Sequence, residues 1–171
     1  MMAKIREGQL GFTFHNGWHA SKYDDWAHYR QQFVRMMDGV KGVDILAISP
    51  SPSSCCWLVE VKDYRRHRRT KAIDLAVEIV DKVRNTLAGV AAAQIRASDP
   101  KEREAARRAL RADNLRVVLH LEQPDNPSKL FPRAIDPAKV QMDLRRRVKA
   151  IDPHPLVIEI ATQGRIPWDV A

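Results

Sequence analysis

Asp44, Glu60 and Lys62 bring two carboxylates and an ammonium into otherwise apolar stretches of this chain. Asp44 opens the apolar run GVDILAIS, and Glu60 and Lys62 interrupt the run CCWLVEVKDY one residue apart. In extended backbone, residues two apart point to one side. Glu60 and Lys62 therefore share a face with Leu58, while Trp57, Val59 and Val61 point the other way. Charged side chains in an apolar strand are costly unless they are paired or belong to a site. Two carboxylates offer the oxygen ligands that Mg²⁺ or Mn²⁺ takes. An ammonium beside them can orient a water or neutralise a phosphate, and in a cleft beside a metal it is a candidate for a lowered pKa. The bland alternative is a Glu60–Lys62 ion pair on a solvated face, with Asp44 as a turn residue.

The elements that would position these residues follow from the flanking pattern. Val43–Ser49 and Cys56–Tyr64 read as two strands joined by the PSPSS turn. Before them, Ser21 and Asp24 have the spacing of a capping box, and Trp26, Tyr29, Phe33, Met36 and Met37 recur at helical spacing, so a helix is expected from about Ser21. GQLGFTFHNGW predicts a short strand with a turn at Asn16-Gly17. After the hairpin, a long helix is expected over about Thr70–Ala97, capped by Thr70. Its expected apolar stripe runs through Ile73, Val77, Val80, Val83 or Arg84, Leu87, Val90, Ala91 and Ile95, with Asp74, Glu78, Asp81 and Lys82 on the opposite face. Gly89 and the alanines after it predict close packing on the sheet. Asp99-Pro100 ends that helix and starts a charged one, expected on the surface. Leu115–Leu121 reads as a strand, 138–151 as a helix, Leu156–Ala161 as a last strand and TQGRIPWDVA as a tail. The expected class is α/β, a mixed sheet flanked by helices.

The acid at the start of one strand and the E-x-K on its hairpin partner, followed by a helix, resemble the PD-(D/E)xK nuclease superfamily. Val43 stands where the family usually has proline. The resemblance covers about 21–122, with 137–161 as a helix–strand extension of a single domain. It implies a restriction-endonuclease-like fold with an α-β-β-β-α-β core, so one strand is still to be supplied, by GFTF or another segment. It also implies a Mg²⁺-dependent (or Mn²⁺-dependent) nuclease that hydrolyses phosphodiester bonds with an activated water. Asp44, Glu60 and the backbone carbonyl of Val61 would hold the metal, and Asp44, Glu60 and Lys62 would form the catalytic set. Asp24 or Asp25 would be a further acid in some relatives; the electrostatic alternative is that both favour the positive end of a helix.

Composition narrows the partners. The chain has 171 residues, enough for one domain with a core, and a net charge of +8, which favours polyanions and nucleic acid first. The resemblance to nucleases makes DNA the expected substrate. The basic run RRHRRTK directly follows the motif strand, so Arg65, Arg66, Arg68 and Arg69 are the expected phosphate contacts. The clusters at 103–111 and 145–149 are read as solvated helix faces. No apolar run has the roughly 20 residues of a membrane span, and MMAKIREGQL lacks a signal-peptide core, so a cytoplasmic, bacterial protein without membrane contact is expected. Cys55 and Cys56 are adjacent and read as reduced strand residues. Cutting both strands of a duplex takes two sites or two visits, which admits a homodimer; proteins from neighbouring genes are also admitted as partners. The competing function class is a nucleic-acid-binding or scaffolding module of the same fold without turnover.

Overall fold

The computed structural model describes residues 1–171. Its frame is a mixed five-stranded sheet in the order β3 (His19–Lys22), β4 (Ile45–Ile48), β5 (Cys55–Asp63), β6 (Asn114–Glu122), β7 (Leu156–Ile158). The pairs β3–β4 and β4–β5 are antiparallel, whereas β5–β6 and β6–β7 are parallel. The parallel pairs need crossovers, and helices supply them. The first holds α2 (Leu75–Arg96) and α3 (Pro100–Leu110), the second α4 (Pro137–Val148). The expected mixed sheet flanked by helices is thus present.

Both faces of this sheet are buried, so β4 and β5 read as near-continuous apolar runs. Leu46, Ile48, Cys56 and Leu58 pack toward the helices with Ile79, Val83 and Val90 of α2. Ile45, Ala47, Trp57 and Val59 pack toward a second, three-stranded sheet built from β1 (Ala3–Glu7), β2 (Leu10–Phe14) and β8 (Asp169–Val170). β3 precedes the β4–β5 hairpin in this sheet, and GFTF belongs to the smaller sheet. The expected tail folds back: Trp168 is buried against Trp57, with ring centroids 5.1 Å apart, and Asp169–Val170 pairs with β2.

The expected helix from Ser21 is broken up. Ser21 and Lys22 lie in β3, followed by a 3₁₀ turn at Tyr23–Asp25, a single helical turn α1 (Ala27–Gln31) and another 3₁₀ turn at Phe33–Arg35. Ser21 does not cap a helix; its hydroxyl accepts from Trp26 Nε1 at 3.0 Å. The apolar spacing was real, since Trp26, Tyr29 and Phe33 are buried, but Met36 and Met37 are exposed. Three turns beat one helix here because an outside cap holds them: buried Glu102 of α3 accepts from the backbone of Ala27 at 2.6 Å and His28 at 3.1 Å. For the same reason α3 is not a purely surface helix; Ala105, Ala106 and Ala109 are buried with Glu102.

α2 starts five residues later than expected. Asp74, not Thr70, is its N-cap and accepts from Val77 N at 3.2 Å. Its buried face runs through Leu75, Ala76, Ile79, Val83, Thr86, Val90 and Ala93, while Ile73 and Ile95 are exposed. Val83 and Val90 of the expected stripe lie on this face, and Ala76, Ile79, Thr86 and Ala93, which the stripe leaves out, complete it. Gly89 does pack closely, but against the N-terminal turns. A Cβ there would lie 2.0 Å from Tyr23 Oη and 3.2 Å from Phe33 Cδ1.

Candidate active site

Asp44 is fixed from three sides. Gly42 and Val43, just before it, donate to Tyr29 Oη at 3.0 Å and to Thr86 Oγ1 at 2.9 Å. Asp44's own carbonyl accepts from Tyr23 N at 2.8 Å. Gly42 must be glycine, because a Cβ would sit 2.6 Å from the Tyr23 ring. Asp44 stands one residue before β4, whose first residue Ile45 pairs with Val59, the residue before Glu60. Asp44 Oδ2 then accepts from Val61 N at 2.7 Å. Strand geometry sends the Val61 carbonyl to the same side. The sequence-derived residues Asp44, Glu60, Val61 and Lys62 are therefore brought together at one end of β4 and β5.

Glu60 is not on a solvated face, being 1% exposed. Its Oε1 receives Lys62 Nζ at 2.9 Å and also Lys82 Nζ from α2. Its Oε2 is buried with no hydrogen-bond partner. Burial, and then the charge of Asp44, pushes the Glu60 carboxyl up to about 7. Burial likewise raises Asp44, with Lys82 and the Val61 amide opposing. Asp24 belongs to the same line of acids. Burial lifts it to about 6, with Asp44, Glu7 and Asp25 adding to the rise, and its Oδ1 is buried without a partner. Asp24 lies in the 3₁₀ turn before α1, not at a helix end, and Asp25 is exposed. Glu7 of β1 closes the line and is held by Lys22 at 2.8 Å.

Lys62 behaves differently from the expected lowered amine. Burial would lower its pKa, but Glu60 and Glu78 outweigh burial and raise it. Glu78 of α2 is the second hub: Lys62 sits 3.0 Å away, Arg69 2.7 Å and Lys71 2.6 Å. Burial opposes this, yet hydrogen bonds from Lys71, Arg69 and Lys62 hold the Glu78 carboxyl down at about 2. Glu78 and Lys82 were expected on the outer face of the helix. Their spacing of four residues put them on one side together, and the unseen shift in helix phase turned that side to the sheet end.

The basic run divides. Arg65 is spent on Asp63 through two hydrogen bonds of 2.9 and 2.6 Å. Arg69 bonds Glu78, the Ile73 carbonyl at 2.6 Å and Tyr64 Oη at 3.1 Å. Arg66 and Arg68 are exposed. His120 and Glu122 form a buried pair at 2.8 Å on the other face of the sheet, where His120 packs edge-on against Phe12. Cys55 and Cys56 are free thiols in β5.

The donor set suits a hard divalent cation. The carboxylates of Asp44 and Glu60 are oxygen donors, and Glu60 presents an oxygen that nothing else satisfies. No group of three or more His, Cys, Asp or Glu side chains is arranged as a ready-made metal cage. Mg²⁺ is commonly held by one or two carboxylates with water and substrate making up the rest, so these residues fit it. No helix is long and apolar enough to cross a membrane.

No protein-family model and no solved structure matches the chain. The chain is similar to the cysteine–tRNA ligase of Neisseria meningitidis, at 32% identity over 172 residues. That match covers 83% of this chain and 24% of the ligase, so the chain spans about a quarter of the length of this curated relative.

Proposed function

We propose that the chain is a metal-dependent nuclease with a restriction-endonuclease-like core, hydrolysing phosphodiester bonds of nucleic acid. The observation that carries the reading is that Asp44 and Glu60 flank the Ile45↔Val59 pair at one end of two antiparallel strands, with Lys62 at 2.9 Å from Glu60 and Glu60 Oε2 left unsatisfied in a buried position. The strand sequence β3-β4-β5, the crossing helix α2 and the parallel β6 support the fold. No helix precedes β3 in this chain; its short helical turns lie between β3 and β4 instead.

Asp44, Glu60 and the Val61 carbonyl would hold Mg²⁺ or Mn²⁺. Such a cation, when bound, neutralises phosphate charge and makes water more acidic. Asp44 is oriented for this by the Val61 amide. Lys82 holds Glu60 in place and favours its ionised form. Lys62, kept protonated by Glu60 and Glu78, serves as a cation that orients water or neutralises the phosphate, not as a base. Acting as one domain, the chain would take DNA as substrate, and the likeness to a tRNA ligase adds tRNA to the polymers worth offering it. A homodimer or proteins from neighbouring genes would complete a two-strand cut.

A second reading, a nucleic-acid-binding module without turnover, is favoured by one feature. The two amines at Glu60 are already engaged with carboxylates, Lys62 with Glu78 as well. Incubating the protein with single- and double-stranded DNA, RNA and tRNA, in Mg²⁺, Mn²⁺ or EDTA, separates the two. Metal-dependent cleavage supports the nuclease; binding of every polymer with cleavage of none supports the module.

A further inference from the structure

A cleft of about 270 Å³ opens beside the carboxylates, lined by Gly39, Lys41, Lys71 and Ile73 and by Glu78, Asp81, Lys82 and Asn85 of α2. We propose that this cleft is the path of a polynucleotide strand next to the reaction centre, with Lys41 and Lys71 as its phosphate contacts. The inference rests on the nuclease reading above and adds where the substrate lies.

The cleft is continuous with the centre because two of its residues also build it. Lys82 holds Glu60, and Glu78 holds Lys62. Its acids are already balanced. Glu78 is taken by Lys62, Arg69 and Lys71, and Asp81 lies 3.5 Å from Arg84. Lys41 is exposed, and its carbonyl accepts from Asn85 Nδ2 at 3.0 Å, which ties the loop to α2. Gly39, with φ +80°, gives that loop a turn that other residues rarely adopt. Lys71 is fixed at one end by Glu78 yet remains 47% exposed. Exposed Ile73 adds an apolar surface between the two lysines' elements, suited to a sugar or base.

Lysines are point charges that take successive phosphates whatever the base, so the shared chemistry is a phosphodiester backbone of DNA or RNA. Of the arginines expected from the sequence, Arg65 and Arg69 are committed to Asp63 and Glu78. Lys41 is exposed and in no ion pair, and Lys71, although bonded to Glu78, keeps 47% of its side chain exposed in the cleft.

The test is binding of labelled single-stranded DNA and RNA by fluorescence anisotropy, in EDTA so that nothing is cut, over a salt series. The full chain is compared with Lys41→Ala, with the Lys41→Ala/Lys71→Ala double variant, and with Arg111→Ala, at the far end of the sheet. Each lost phosphate contact should lower the slope of log K against log salt by ~0.7, and Arg111→Ala should keep the parental slope. Lys41 is exposed, and Ala at that position leaves the backbone carbonyl that holds the loop, so its variant reads binding and not folding. The polymer that shows the loss names the strand. Parental slopes in both lysine variants, or an equal fall in Arg111→Ala, would overturn the cleft while leaving the nuclease reading standing. Binding of neither polymer by the parent would also overturn the cleft as a strand path, while the nuclease reading stands or falls on the cleavage assay above.

Discussion

Replacing Glu78 by glutamine keeps the shape of the side chain and removes the charge on which Lys62, Arg69 and Lys71 converge. The Glu78 carboxyl is held at about 2 against an ordinary 4.5. At ~1.4 kcal/mol per pH unit, that depression corresponds to a contribution of ~3 kcal/mol to stability. Lys71 is about half exposed, and solvent screens its share, so ~2 kcal/mol is the expected loss. The sign follows from the depressed pKa. The contribution is fully present above the unfolded value near 4.5 and is lost as pH falls through about 2. Urea unfolding followed by circular dichroism should therefore find Glu78→Gln ~2 kcal/mol less stable than the parent at pH 7, nearly as much at pH 5, and clearly closer to it at pH 3. A difference under ~0.5 kcal/mol at pH 7, or one that does not shrink in acid, would refute the view that Glu78 is the electrostatic anchor of the site.

Two further outcomes follow from the same geometry. Gly89→Ala would drive a methyl to within 2.0 Å of Tyr23 Oη, and should cost ~1–3 kcal/mol in the same unfolding assay, because Tyr23 also supports Gly42 and the approach to Asp44. Glu60 is raised to about 7 and Asp24 to about 6, so the folded chain keeps protons there that the unfolded chain has released. Those groups weaken the fold as pH rises from about 4 through 7, and a cation competes with the same protons. The rise in melting temperature produced by Mn²⁺ should be largest at pH 8 and vanish near pH 5.5; a rise that ignores pH would contradict the assigned ligands.

The hairpin that carries the site was legible because its signals are local. A proline–serine turn, an apolar strand and the alternation of Glu60 and Lys62 need no knowledge of distant contacts. The Glu60–Lys62 ion pair of the bland reading is present at 2.9 Å, but its face is not solvated, because α2 covers that side of β5 and no local pattern reports a cover. The same cause hid Glu78 and Lys82. Their side of α2 became an inner side only once Ala76, Thr86 and Ala93 were counted as packing residues, and small or polar residues carry a weak apolar signal. The helix expected from Ser21 failed for a tertiary reason as well. Glu102, 75 residues from Ala27, caps the turn that ends up there. β3 is four half-buried residues on a sheet edge, too short and too polar for alternation to show.

Cleavage by Glu60→Ala and Lys62→Ala beside the parent, with Mn²⁺ binding measured on the same samples, tests the central claim most directly. The parent should cut a polynucleotide only with metal. Glu60→Ala should lose both metal binding and cleavage, and Lys62→Ala should lose cleavage while still binding metal. Variants that cut as well as the parent would contradict the assignment of this site, and so would a parent whose cleavage persists in EDTA.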